Sequence, residues 1–134
     1  MSNKKIVFIT LLTLLLSLSA QISAQTVKFE PVTHGQFLQA PVDEKKFTNA
    51  VRIALVTFNW RIVSEEPGVI YARYEKSNGL IVADIKIALS ADAYTIEYVD
   101  SKGLDANLET KAIHRNYPRW IANLDKNIYL NYLK

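Results

Sequence analysis

His34 and His114 are the only histidines in the chain, and no cysteine accompanies them. Zinc sites draw on clustered His, Cys and acidic ligands at short spacings such as i and i+4. Neither histidine has such a neighbour, so no metal and no cofactor is expected. His114, within Ile113-His114-Arg115-Asn116-Tyr117, is the better candidate for chemistry. As a general base it needs an orienting carboxylate, and Asp100 or Asp105 upstream would have to supply it. This is the hydrolase or lyase reading. The competing one is a histidine at a helix start whose ring bonds a nearby carbonyl or carboxylate. The chain holds no Gly-x-Ser-x-Gly elbow. Gly35, Gly68, Gly79 and Gly103 stand too far apart for a phosphate loop.

The other candidates are binding residues. Tyr71 and Arg73 alternate along one segment, and Lys86 and Glu97 fall where the same sheet face would carry them. Tyr and Arg dominate binding hot spots, so a recognition patch is one reading of this group; an ordinary polar sheet face with one aromatic is the other and the preferred one. Asp84 is an acid inside an apolar alternation. The expected register sets it opposite Arg73, which favours a cross-strand ion pair over a catalytic carboxylate. Tyr117 and Trp120 join His114 as a second binding group. Lys111, Arg115 and Arg119 recur every four residues and would line one side of a helix. Such a stripe is usually a solvated face; an anion-binding surface is the alternative.

These residues need elements to position them. Leu80 to Leu89 alternates, with Ile81, Ala83, Ile85, Ile87 and Leu89 on one side and Asp84 and Lys86 between them. A period of two means a strand with one dry and one wet face. Asn78-Gly79 before it is a strong hairpin signal, since both residues accept positive φ. It sets Tyr74 opposite Ala83, Ala72 opposite Ile85, Ile70 opposite Ile87 and Arg73 opposite Asp84. A turn at Ala91-Asp92 sets Ile87 opposite Ile96, Ile85 opposite Tyr98 and Lys86 opposite Glu97. Upstream, Trp60 to Glu65 is a strand candidate. Pro67-Gly68 suits a two-residue hairpin poorly, so a loop of three or more residues is expected there, with Trp60 and Ile62 inward.

Asp43 to Asn59 has the periodicity of a helix, with Phe47, Ala50, Val51, Ala54, Leu55 and Phe58 in one stripe. Asp43 is the expected N-cap, with Val42 and Phe47 as a hydrophobic staple. Ile53 and Val56 are expected to widen the stripe. Lys111 to Leu133 reads as a second helix. Pro118 either kinks it or sits in a first turn capped by Asn116, and the longer, kinked helix is preferred. Its last turns are apolar for a free end and should dock on the sheet or on a partner.

The amino terminus carries an address. Lys4 and Lys5 precede the apolar run Ile6 to Leu18, and Ser19, Ala20, Ser23 and Ala24 follow. This is the layout of a secretory signal peptide, with cleavage expected after Ala24 and Ala20 as the alternative. The apolar run is short for a membrane span. Removing Lys4 and Lys5 from 16 basic and 13 acidic residues leaves 14 against 13, a net charge of +1. A nearly neutral exported domain is not expected to bind nucleic acid or to stay on a membrane. Gln25 to Pro41, with Pro31, Gly35 and Pro41, reads as an extended arm or edge strand. Residues 42–134 read as a single domain, and an apolar fraction of 49% with 22% charged residues suits a folded core.

Tyr94-x-Ile96-x-Tyr98-x-Asp100-Ser101, followed by Ile113-His114-x-Asn116-Tyr117-x-x-Trp120-Ile121-x-Asn123-Leu124, resembles a family of small bacterial envelope proteins, many of them lipoproteins. Trp60, Pro67-Gly68 and Ile70-x-Ala72 fit the same pattern. Two positions depart from it: Pro118 stands where that family usually has Asn, and the lipid-bearing Cys is absent. The resemblance implies an exported α+β domain and brings no reaction with it.

The expectation is therefore a two-layer α+β domain, periplasmic or secreted. A four-stranded antiparallel meander is covered on one face by two helices, in the order α-β-β-β-β-α. Its expected role is a non-enzymatic module binding an envelope protein or a small ligand, with His114, Tyr117, Trp120, Tyr71 and Arg73 as candidate contacts. An apolar ligand held between sheet and helices is a further option.

Overall fold

The computed structural model describes residues 25–37 and 41–134. The expected leader, Met1 to Ala24, lies outside the described residues. The elements run β1 (Thr26–Lys28), β2 (Val32–Gln36), α1 (Glu44–Thr57), β3 (Arg61–Glu66), β4 (Val69–Lys76), β5 (Ile81–Leu89), β6 (Ala93–Lys102), β7 (Ala112–His114) and α2 (Asn116–Tyr132). The class is α+β, but the main sheet has five strands rather than four. Its order is β2-β6-β5-β4-β3, and every pairing is antiparallel. The expected meander forms its β6-to-β3 part.

The fifth strand comes from the segment expected to be an extended arm or edge strand, and it is an edge strand. Val32, His34 and Gln36 alternate with Thr33 and Gly35, and this short stretch pairs along the free edge of β6. β1 pairs separately with β7, Val27 opposite Ile113. Between them Phe29 is buried against the rings of Tyr98 and Tyr117. The segment reads weakly in sequence because two short runs separated by Pro31 show little periodicity, and pairing with distant strands supplies their order.

The registers of the β4–β5 and β5–β6 hairpins follow the alternation. Ala72 faces Ile85, Arg73 faces Asp84, Ile85 faces Tyr98 and Lys86 faces Glu97. Shifting either hairpin by one residue would turn Ile85 and Ile87 to water, and these side chains are 1% and 0% exposed. Asn78 and Gly79 take positive φ at the first turn, as does Ser77.

The β3–β4 connection departs from expectation. Glu66 pairs with Val69, so Pro67-Gly68 is a two-residue loop, with Gly68 at φ 75°. Counting straight back from that loop would put Val63 opposite Ala72 on the dry face. The ladder instead shifts between Ile62 and Ser64, and Ile62 takes that place. One extra residue, Val63, absorbs the phase error, which is what a β-bulge does. Trp60 and Ile62 thus reach the core by a different route from the one expected.

α1 is capped as its sequence requires: the Lys46 amide donates to Asp43 Oδ1 at 3.0 Å. It ends at Thr57, and Asn59 just beyond, with a φ of 61°, lets the Trp60 amide donate to the Leu55 carbonyl and the Asn59 amide to that of Val56. This pair of bonds is the Schellman arrangement, and it delivers Trp60 into the core. Phe47, Ala50, Val51, Ala54 and Leu55 are buried, but Ile53 and Val56 are not part of the stripe. They are 43% and 71% exposed, because the adjacent helix covers a narrower side than expected.

The long kinked second helix does not form. Asn107 Oδ1 accepts from the Glu109 and Thr110 amides, Lys111 takes a positive φ, and β7 follows. α2 starts only at Asn116. Extending it upstream would drive the Pro118 ring into the carbonyl four residues earlier, whereas in a first turn proline is tolerated. Asn116 is not the cap either: Arg115 holds that position, and the Asn116 amide donates to His114 Nδ1 at 3.2 Å.

Both helices lie on the dry face. Three groups of rings fill the layer between: Phe37, Phe47, Tyr94 and Tyr132; Phe29, Tyr98 and Tyr117; and Trp60, Tyr74 and Trp120. Tyr94 spans the layer. Its hydroxyl donates to the Asp125 carboxylate on α2, passing directly over Gly35.

Candidate functional site

The period of two that buries Ile85 and Ile87 sends their neighbours to the opposite face, which neither described helix covers. The registers arrange these neighbours in rows across the strands. One row is Arg61, Arg73, Asp84 and Asp100. The next is Ser64, Tyr71, Lys86, Glu97 and Val32. A third runs Glu66, Val69, Ala88, Thr95 and His34.

Arg73 and Asp84 form a two-pronged ion pair. Nε donates to Oδ1 at 2.7 Å and Nη2 to Oδ2 at 2.9 Å. The bonds to Asp84, and then its charge, raise the guanidinium further above its ordinary range. Glu75 lies 3.8 Å from Arg73 and 3.7 Å from Arg61, so it bridges two cations that face each other across β3 and β4. Lys86 Nζ lies 3.9 Å from Glu97. A planar fork on a carboxylate has little rotational freedom, so Arg73 is held in place without help from a ligand.

Two apolar side chains flank this pair. Val63 on β3 is 55% exposed and Val99 on β6 is 49% exposed. Both sit at bulges, the second lying where the β5–β6 register shifts between Asp84 and Ile85. An extra residue leaves the strict alternation, so an apolar side chain can stand on the wet face without costing the core one. With Ser64, Tyr71, Arg73 and Asp84 they line a shallow depression of about 280 Å³. The depression offers aromatic and aliphatic contact around a fixed charge pair. Its lining includes the Ser64 and Tyr71 hydroxyls, with no histidine beside them.

The expected site residues divide. Tyr71 and Arg73 meet on this face. His114, Tyr117 and Trp120 do not join them, nor do they share one opening. Tyr117 is 3% exposed, and burial, then the neighbouring Tyr98, pushes its hydroxyl well above the ordinary tyrosine range. Trp120 is half-buried against the Tyr74 ring, centroids 4.7 Å apart. His114 Nδ1 is engaged by the Asn116 amide, and among the described residues no carboxylate hydrogen-bonds its ring. Asp100 is turned to the uncovered face, where its Oδ1 accepts from the Ser101 amide. The basic stripe dissolves: Lys111 sits in the turn before β7, 3.3 Å from Glu30, while Arg115 and Arg119 belong to the start of α2. Among the described residues no three His, Cys, Asp or Glu side chains gather as metal ligands. None of the described helices is long and apolar enough to cross a membrane.

The residues of the envelope-protein pattern mostly do structural work. Tyr98 and Ser101 share a hydrogen bond of 2.7 Å, and Ile96, Ile113, Ile121 and Leu124 are core. Sequence reasoning missed Val63 and Val99. The signal for Val63 was present in the count between Pro67-Gly68 and Trp60, which cannot place both Trp60 and Ile62 inward over a two-residue loop without one extra residue. In comparisons with known proteins, no family model matches the chain and no curated protein matches it.

Proposed function

We propose that this protein is an exported, non-enzymatic binding module of the bacterial envelope whose contact surface is the uncovered face of the main sheet. The leader pattern, the near-neutral charge and the resemblance to envelope proteins support the location. One observation carries the choice of surface: exposed Val63 and Val99, each lifted from the alternation by a bulge, flank Tyr71 and the Arg73–Asp84 pair. Interfaces concentrate their energy in Tyr and Arg set among apolar groups that exclude water. Here both are carried on strands, which hold geometry better than loops.

The hydrolase reading gains nothing from His114, whose ring caps the start of α2. The test is affinity capture from envelope extract with the natural protein and with a Val63→Asp/Val99→Asp variant. Specific protein recovered by the first and lost by the second is the expected result. Capture that is equal for both, or no specific capture by the natural protein, overturns the proposal. Both positions are about half exposed, so the variant should fold; circular dichroism checks that it does.

A further inference from the structure

We infer that the uncovered face takes a second copy of this chain, packed sheet to sheet about a two-fold axis that lies between the sheets and runs along β5. The inference rests on reading that face as the recognition surface. It goes further by fixing the occupant.

The charge pattern differs on either side of β5 in a way that suits a second copy. A two-fold axis along β5 lays β4 of one copy over β6 of the other, and β3 over β2, row for row. On β4 the face carries Glu75, Arg73, Tyr71 and Val69; the same rows on β6 carry Lys102, Asp100, Glu97 and Thr95. The sign inverts twice: Glu75 meets Lys102 of the second copy, and Arg73 meets its Asp100. On the outer strands Glu66 meets His34, a hydrogen-bond partner for its carboxylate. Ser64 on β3 falls over Val32 on β2, with Val63 at the bulge beside it. On the axis Val82 and Ala88 meet their own copies. Each contact off the axis occurs twice, so one complementary pair supplies two.

Two meetings on the axis are of like charge, Asp84 and Lys86 with themselves. Each is already neutralised within its own chain, Asp84 by Arg73 at 2.7 Å and Lys86 by Glu97 at 3.9 Å. Within one chain β5 separates Glu75 from Lys102, whereas Arg73 is forked on Asp84 and feels the charge of Asp100 across β5, so the inverted pattern is only partly used there. A face-to-face two-fold is the arrangement in which it becomes complementary.

Five strands about 4.8 Å apart and about seven residues long present roughly 500 Å². A standard interface takes about 800 Å² from each partner. The dimer is therefore expected to be reversible, forming at micromolar to millimolar concentration and weakening as salt screens its rim charges.

Val82 provides the test, because a charge on the axis meets itself. The natural protein, Val82→Glu and Val82→Lys are compared by sedimentation equilibrium into the high micromolar range, with circular dichroism to check folding. The natural protein should dimerise, and each variant alone should associate at least tenfold more weakly. An equal mixture of the two should regain dimer, since opposite charges then meet on the axis. A natural protein that stays monomeric overturns the inference, as do variants that dimerise like it. Dimerisation that survives Val82→Glu but is lost on Leu130→Glu places the second copy on the helices and overturns it too. A monomer that still captures envelope protein through Val63 and Val99 sinks the dimer while leaving the binding-module reading intact.

Discussion

Replacing Gly35 by alanine tests how the layers are pinned. Gly35 sits on β2 directly beneath the Tyr94 ring. A Cβ there would lie 2.1 Å from Cζ and 2.5 Å from both Cε1 and the hydroxyl oxygen, against the 3.4 Å at which ordinary contacts begin. The backbone at Gly35 is outside the left-handed region, so the whole cost is steric. The ring must retreat by more than an ångström inside a packed layer. Overfilling of this kind costs about 1–3 kcal/mol. The retreat also takes the hydroxyl from the Asp125 carboxylate, a charge-assisted bond of about 1.5–3 kcal/mol. Together the loss should be about 3–5 kcal/mol, a large share of the roughly 5–15 kcal/mol that stabilises a typical domain. At about 4 °C per kcal/mol the midpoint should fall by roughly 10–20 °C. Urea unfolding followed by tryptophan fluorescence reads it, since Trp60 is buried and Trp120 half-buried. The same change made on a Tyr94→Leu background should cost under about 1 kcal/mol, because the obstructing ring is gone. A Gly35→Ala protein within about 0.5 kcal/mol of the natural one would refute the reasoning, as would an equal cost on both backgrounds.

Three further outcomes are expected. Tyr94 and Tyr117 are held protonated in the fold, chiefly by burial, and Tyr94 also by its bond to Asp125. Their folded pKa values lie above the unfolded one, so the stabilisation is complete below about pH 10 and declines as pH rises beyond it, by about 1.4 kcal/mol per pH unit for each ring; chemical denaturation from pH 8 to 11 should show a steepness that drops when either is changed to Phe. Asn59→Gly should hold stability within about 1 kcal/mol because φ of 61° suits glycine, whereas Asn59→Val should lose about 1–2 kcal/mol, read by the same unfolding assay. His114→Ala should lower stability by about 1 kcal/mol through the freed Asn116 amide and leave envelope capture unchanged; loss of capture with stability intact would return His114 to the functional residues.

Strict alternation made the centre of the fold legible. Between Ile70 and Tyr98 each inward residue is apolar and each turn is marked, so face and register follow together, down to Arg73 opposite Asp84. α1 was legible for the same reason, up to the width of its stripe. What stayed hidden depends on partners distant in sequence. β2 is ordered by β6 and β1 by β7, and neither has enough periodicity of its own to choose between the extended arm and the edge strand expected there. The apolar spacing runs on through Ile113 and Tyr117, which makes Pro118 look like a kink within one helix. Ile113 belongs to a strand whose inward residue happens to continue the helical phase. Of the candidate site, Tyr71 and Arg73 could be placed on the wet face from parity alone. Val63 and Val99 could not, since a bulge breaks the parity on which such a reading depends.

Photocrosslinking compares the uncovered sheet face with its rival most directly. A benzophenone amino acid is placed in turn at Tyr71, at Val63 and at Val56, the last being 71% exposed on the opposite, helical side. Cells producing each protein are irradiated and the adducts resolved by mass. Positions 71 and 63 should yield discrete adducts while position 56 yields none. Adducts confined to position 56 would show that the helices, and not the sheet, meet the partner.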